Sequence, residues 1–412
     1  MHAVLGEVGL LALAWLVSEA RGRIPWRTVA AGIGLQVALA VLLTHFRPAI
    51  AIILLVNRGA NALQAATDAG TGFVFGYLGG GALPFVETHP GASFILAFKA
   101  MPLVIVISAL ASLLFYWGVL QRITAAFAWL LRRVMGIGGA LALGAAVHVF
   151  VGMIEAPLLV RPYLARMQRG ELFALMTCGM AGVAGTVMVI YAGFLAPIIP
   201  DALGHILIAS VVSTPAGLAV AALMVPFGPA PADAARLELP DKPASALDAL
   251  VQGTLAGIPI LAGILATLLV AVAMVALLNM ALGLLPHWGD EPVSLQGIFA
   301  LPFRPVMWLI GIPWSESGRA AALMATKTVL NEFVAYASLG SGGAGVFSPR
   351  SRLILTYALC GFANFGSLGI VIGGLGAMVP ERRHEVVELG LRSILSGTLA
   401  TCMSGALAGA LV

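Results

Sequence analysis

The feature that most constrains this chain is a carboxylate set inside an apolar run, and it occurs twice. The first run is Val151-Gly152-Met153-Ile154-Glu155-Ala156-Pro157, and the second is Asn331-Glu332-Phe333-Val334-Ala335-Tyr336. An ionisable group at membrane depth is expensive, so it faces a cavity or a partner and marks function by default. Gly152 and Pro157 also break a helix where they stand. The alternative reading places both glutamates in loops at the membrane surface.

Composition decides the setting. The 412 residues are 60% hydrophobic and 10% charged, with a mean hydropathy of +1.02, whereas a soluble domain is about 25% charged. The chain therefore reads as an all-α polytopic membrane protein. Its 49 glycines suit membrane helices that pack closely or are interrupted. The net charge of +4 is scattered rather than gathered on one face, which argues against a nucleic-acid partner. Cys178, Cys360 and Cys402 lie in apolar segments without CxxC spacing and read as small buried hydrophobes. The start of the chain has no basic region or small-residue cleavage site before Ser18, and reads as a first membrane helix rather than a signal peptide.

Apolar segments at 8–17 and 28–44 give the first two spans. Residues 49–72 carry Asn57, Arg58, Asn61, Gln64 and Asp68 at three- and four-residue spacing, the pattern of an amphipathic helix lying on the membrane. Glycines between 70 and 81 predict a break, and 94–117 is long enough to cross. Arg122, Arg132 and Arg133 mark a second amphipathic stretch. Residues 136–164 are apolar, but the first glutamate run divides them into halves of ~12–15 residues, too short to cross alone. A re-entrant hairpin fits better, since broken backbone at depth must line a cavity. Spans follow at 172–199 and 206–225, then a Pro- and Ala-rich loop at 226–246, one long span within 247–285 and a polar loop at 287–296. Residues 298–312 read as interfacial, and the polar residues of 313–340 suit a second hairpin. Residues 353–378 are interrupted at Asn364 to Ser367, and 387–412 is the last span.

Both halves thus share a plan of broken hairpin followed by a helix, and paired interrupted segments point to a transporter's binding site. If the first helix runs inward, most of the basic residues, among them Arg21, Arg23, Arg132, Arg133 and Arg169, fall on the cytoplasmic side. This predicts both termini outside.

At these residues the chain resembles the concentrative nucleoside transporter family. The carrying strings are Arg23 to Arg27 after Ser18-Glu19, Gly72 to Gly76, Gly152 to Arg161, Thr326 to Tyr336 and Cys360 to Phe365, and the similarity extends over essentially the whole chain. The resemblance implies eight transmembrane helices, two re-entrant helical hairpins and interfacial helices, arranged as an inverted-repeat elevator transporter and assembled as a homotrimer. It implies scaffold helices and an interfacial helix in 1–120, a transport domain in 121–225 and 296–412, and a linker with a scaffold helix in 226–295. It also implies a nucleoside substrate, a co-transported sodium ion or proton, no other cofactor, surrounding membrane lipid, and a place in the bacterial cytoplasmic (inner) membrane. Carried over by position, Glu155, Glu332, Asn364 and Ser367 would hold the ribose, and Phe362 would lie beside the base. Gly152 and Asn331 belong to the same hairpin tips.

The base side departs from the family, which usually has Gln and then Thr or Ser after the hairpin glycine. Met153 and Ile154 stand there instead and donate nothing. Losing two polar readers is worth roughly 1–3 kcal/mol each, so a less base-selective site or a more apolar base is expected, with Tyr191 as a compensating group. The ion site departs too: His148 stands where sodium-coupled members have Asn, leaving carbonyls near Val151 and Val187 and the hydroxyl of Thr186. Proton coupling, or weakened sodium coupling, is expected, with His148 or a hairpin glutamate carrying the proton. Lys327 is read as a partner for a nearby carboxylate or a cap for a hairpin helix. An enzyme is not indicated: His384 to Glu388 lacks the second zinc-binding His, and there is no Walker A string. A uniporter without strong ion coupling remains the rival reading.

Overall fold

A computed structural model describes residues 2–87, 93–153, 155–228, 243–285, 292–343 and 345–411. All regular structure among them is helical, and seven helical stretches are long and apolar enough to cross a membrane by length and composition, two of them, 96–116 and 169–195, each made of two consecutive α-helices. The chain is thus an all-α polytopic membrane protein, as its composition predicts.

The chain opens with α1 (His2–Leu16), α2 (Trp26–His45) and α3 (Arg47–Phe75). A short α4 (Leu96–Lys99) leads to α5 (Leu103–Tyr116) and α6 (Val119–Met135). Glycines in the left-handed region, Gly118 at φ 74° and Gly136 at φ 67°, bound α6 at either end, conformations that cost glycine little. Next come α7 (Gly139–Val147), α8 (Glu155–Leu159) and α9 (Arg161–Leu164), then α10 (Arg169–Ala181), α11 (Gly185–Leu195) and α12 (Ala202–Met224). The second half runs through α13 (Ala246–Leu282), α14 (Leu295–Leu309), α15 (Trp314–Val329) and α16 (Glu332–Gly342), and ends with α17 (Pro349–Ala358), α18 (Phe365–Met378) and α19 (Arg383–Leu411).

The interior is formed by α12, α19 and the α10–α11 segment. The most apolar window of α12 is 89% buried and those of the segment containing α19 and of the α10–α11 segment are each 83% buried, whereas the corresponding window of α13 is only 6% buried. Lipid is as apolar as leucine, so burial between membrane helices rests on close packing and polar stitches. Ser213 and Ser404 hydroxyls meet at 2.7 Å across α12 and α19, and Thr177 and Ser396 meet at 2.7 Å across α10 and α19. α1 packs along α19 and α12, and α2 along α12. α13 lies instead along α5. Gly253 and Gly257 make that approach possible: a Cβ at either would stand 2.6 Å from the Ser108 carbonyl oxygen or 2.8 Å from the Ile105 Cα.

Several expected boundaries change. The crossing expected at 94–117 stands as a stretch, 96–116, long and apolar enough to cross, but its helix is interrupted between α4 and α5 at Ala100 to Pro102, where proline lacks a backbone donor. α3 continues through Gly70 and Gly72, and the turn comes at Gly76 and Gly80, with φ 60° and 95°; an interior glycine costs only about 1 kcal/mol. The polar stripe of α3 also serves the protein interior, since Asn57 is buried and its Oδ1 accepts from the Gly204 backbone N–H at 2.9 Å. By length and composition α3 suits a crossing as well as a surface position. The expected span at 172–199 is two helices, parted at Gly182 to Ala184. The interruption at 364–367 begins earlier, at Leu359, and α18 already starts at Phe365.

At one end Arg169 bridges Glu19 at 3.0 Å and Glu388 at 2.8 Å, while Arg392 reaches Glu19 at 2.7 Å. This partly exposed network pins the α1–α2 corner to the starts of α10 and α19. Individual pairs of this kind contribute at most ~1 kcal/mol.

Candidate functional site: four chain breaks around one cavity

The site is built where helices stop. α7 ends at Val147 and α8 begins at Glu155, and the segment between them is the tip of the first hairpin. Its Phe150 carbonyl accepts from the Gly185 N–H at 3.3 Å, across to the break between α10 and α11. That break reaches the next, because the Gly182 carbonyl accepts from the Phe362 N–H at 3.2 Å in the gap between α17 and α18. The fourth break, Leu330 and Asn331 between α15 and α16, is the tip of the second hairpin. Irregular backbone is tolerated at membrane depth where it lines a cavity.

All four breaks border one cavity of about 470 Å³. Gly152, Met153 and Glu155 line it from the first hairpin, Asn331 and Glu332 from the second, Val187 and Tyr191 from α11, and Phe362, Asn364 and Ser367 from the α17–α18 break. The two glutamates therefore share a cavity, and each opens a helix rather than lying in a loop. His148, Val151 and Thr186 do not line it. Ile154 lies outside the described residues.

Glu332 is the organising side chain. It is 5% exposed and stands in the first turn of α16, where the helix N-terminus favours a negative charge. Tyr191 Oη donates to its Oε1 at 2.7 Å, and Asn364 Nδ2 donates to its Oε2 at 2.9 Å. Hydrogen bonds to an ionised acceptor are roughly twice as strong as neutral ones. Asn364 has a second duty, capping α18 as its Oδ1 accepts from the Ser367 N–H at 2.7 Å. Asn331 does the same for α16, accepting from the Val334 N–H at 3.0 Å. The Tyr191 ring stacks on Tyr336, centroids 5.0 Å apart, and meets Phe333 edge-on at 6.0 Å. Tyr191 is thus both a packing group and a donor to the site.

Glu155 differs from Glu332. It is exposed to the cavity, and its carboxylate folds back over Gly152, where a Cβ would stand 2.2 Å from Oε2. His148 ends α7, is 6% exposed, and its Nε2 has no hydrogen-bond partner. Its ring packs on Gly179, whose Cβ would lie 3.2 Å from Cε1. Among the described residues no group of three or more His, Cys, Asp or Glu side chains is placed to hold a metal.

Sequence reasoning missed one wall. α13 lines the cavity with Pro259, Ile260, Gly263, Ile264 and Thr267. That spacing describes one helical face, but only Thr267 is polar, so nothing marked the face as part of a site. The α10–α11 break was also missed, although Gly182 and Gly185 flank it.

Comparisons with known proteins agree with this geometry. A family model for the C-terminus of Na+ dependent nucleoside transporters matches residues 205–409. The corresponding N-terminal model matches 5–78, and one for nucleoside recognition matches 97–198. An uncharacterized transporter of Haemophilus influenzae is 37% identical, with 99% of this chain and 97% of that protein aligned. The nucleoside permease NupC of Helicobacter pylori is 32% identical over 99% of this chain and 97% of its own length. Among solved structures, CNTnw in an inward-facing substrate-bound state superposes with a TM-score of 0.89 at 36% identity, covering 100% of this chain and 98% of that one. With the sequence strings, the helical architecture and the full-length similarity in accord, the chain belongs to the concentrative nucleoside transporter family.

Proposed function

We propose that this nucleoside transporter imports its substrate across the bacterial inner membrane by symport with a cation, carrying the site through the bilayer as an elevator. The observation that supports this best is the Tyr191–Glu332–Asn364 cluster facing Glu155 across one cavity. Carboxylates accept from sugar hydroxyls and an amide both accepts and donates. A site built to bind a hydroxyl rejects analogues that lack it. Glu332 and Asn364 hold one side of the ribose, Glu155 the other, and Ser367 lies within reach of the same ring. Phe362 and Met153 give the base apolar contacts. Base selectivity is accordingly weak.

The coupling ion in this reading is a proton. His148 offers nitrogen where a sodium ion needs oxygen, so sodium is held poorly. Charging the His148 ring in place would bury a cation without a partner. Glu155 faces the cavity and is the better placed proton carrier. Thr186 and the carbonyls of Val151 and Val187 remain as weak cation ligands.

In this reading α7 to α12 and α14 to α19 move together. α1 and α2 pack along α12 and α19, and in this reading they travel with them. α5 and α13 provide the fixed wall and the contacts of a homotrimer.

The test is uptake of labelled uridine and adenosine into proteoliposomes under imposed gradients. Accumulation driven by an inward proton gradient without sodium is expected. Strict sodium dependence at constant pH overturns proton coupling. Equilibration without accumulation under either gradient favours a uniporter.

A further inference from the structure

A lysine inside the transport body has no role in the site as described so far. Lys327 stands in the last turn of α15, five residues before Glu332, and is 0% exposed. A buried ammonium is costly unless its hydrogens find acceptors. Its Nζ donates to the Ala358 carbonyl at 2.9 Å and to Thr401 Oγ1 at 3.2 Å. Ala358 is the last residue of α17, so the ammonium sits at a helix C-terminus, where the backbone dipole favours a cation. Thr401 belongs to the buried α19, and its hydroxyl hydrogen already goes to the Thr398 carbonyl at 3.1 Å, leaving a lone pair for the lysine. Neither acceptor is charged. The nearest carboxylate along the hairpin is Glu332, buried in the same body.

The contacts fall on opposite sides of one gap. Lys327, on the first arm of the second hairpin, holds the end of α17. Tyr336, on the second arm, donates to the Thr356 carbonyl at 2.7 Å in the last turn of the same helix. Glu332, at the start of that second arm, accepts from Asn364 at the start of α18. The two arms thus grip both edges of the α17–α18 break. The break contributes Asn364, whose position decides whether it meets the carboxylate.

We propose that Lys327 is a positioning residue of the site: by binding Ala358 and Thr401 it fixes the α17–α18 break against the second hairpin, and so sets where Asn364 meets Glu332. Lys327 does not touch the cavity; it acts through the break. The proposal rests on the reading of Glu332 and Asn364 as ribose contacts.

Lys327→Met keeps the apolar stem and removes the donors. Neither acceptor of Lys327 is charged, so its removal leaves no uncompensated buried charge there, and Thr401→Val serves as a milder variant that deletes one acceptor. Both are measured in proteoliposomes for uptake of uridine and 2′-deoxyuridine, with E332Q alongside. The expected result for K327M is an apparent KM for uridine raised about tenfold, a smaller fall in Vmax, and a reduced preference for uridine over its deoxy analogue. T401V moves both quantities in the same direction by less. A merely structural lysine instead lowers the amount of folded protein and Vmax, with KM and preference unchanged, and that outcome overturns the proposal. Should K327M not fold, unchanged KM and preference in T401V overturn it instead. If E332Q also leaves the preference unchanged, the ribose reading itself fails, and the two failures are told apart.

Discussion

Glu332 holds its orientation because Tyr191 and Asn364 each donate to one of its oxygens. Deleting the Tyr191 hydroxyl leaves a buried carboxylate oxygen short of a donor. Tyr191→Phe is therefore expected to cost about 1.5–3 kcal/mol of stability, read as a lower unfolding temperature in detergent, and to weaken uridine binding. An unchanged midpoint and affinity would make Tyr191 a stacking residue only. Gly152 gives a second test. A methyl there collides with Glu155 Oε2, the free end of a flexible side chain. Gly152→Ala should therefore fold normally but displace the carboxylate, raising the KM for uridine roughly tenfold, the size of one lost charged hydrogen bond. A normal KM in a well-folded variant shows that Glu155 does not need its folded-back position.

Among elements, the interruptions are the working parts, and they differ in how legible they were. The two glutamate-bearing breaks could be read because a carboxylate in an apolar run is conspicuous, and the α17–α18 break carries Asn364. The break between α10 and α11 is Gly182, Val183 and Ala184, with no polar side chain, and its purpose emerges only from backbone hydrogen bonds to Phe362 on one side and, through the Gly185 N–H, to Phe150 on the other. The cavity wall of α13 was silent for the same reason: lipid-facing and cavity-facing residues are equally apolar. α4 and α5 were joined because hydropathy does not register one missing donor at Pro102. Asn57 was assigned to a water-facing stripe, yet it binds the start of α12, since a polar stripe can face protein as well as solvent. The α5–α13 contact is testable at this scale. Gly253→Leu and Gly257→Leu place side chains within the backbone of α5, and packing between membrane helices depends on such close approach. Each should separate the pair, with a loss of a few kcal/mol by the usual cost of overpacking, seen as lower thermal stability. Gly263→Leu, with nothing within 4 Å of its Cβ position, should be tolerated in folding.

For the whole molecule, the question is whether α13 stays behind while the site moves. α13 borders the cavity but packs along α5, and Met101 lines it from the α4–α5 break, whereas the other lining residues belong to helices gathered around α12 and α19. An elevator requires those contacts to slide. Thr267 on α13 and Gly366 at the start of α18 touch across this boundary: a Cβ at Gly366 would lie 3.7 Å from Thr267 Cγ2. Thr267 Cγ2 marks a position that a cysteine sulfur there can take, and its 3.7 Å approach to the Gly366 Cβ position brings the pair within bridging reach, so Thr267→Cys with Gly366→Cys should cross-link on oxidation. The native Cys178, Cys360 and Cys402 are buried and do not compete. If the site travels, the oxidised double variant stops uptake and reduction restores it, while a nucleoside still raises the unfolding temperature of the locked form, because a ligand bound to the folded state stabilises it. Loss of both uptake and ligand stabilisation would mean that the bridge only plugs the cavity. Undiminished uptake through the cross-linked protein would place α13 and α18 in one rigid unit, and the elevator would have to be drawn along a different boundary.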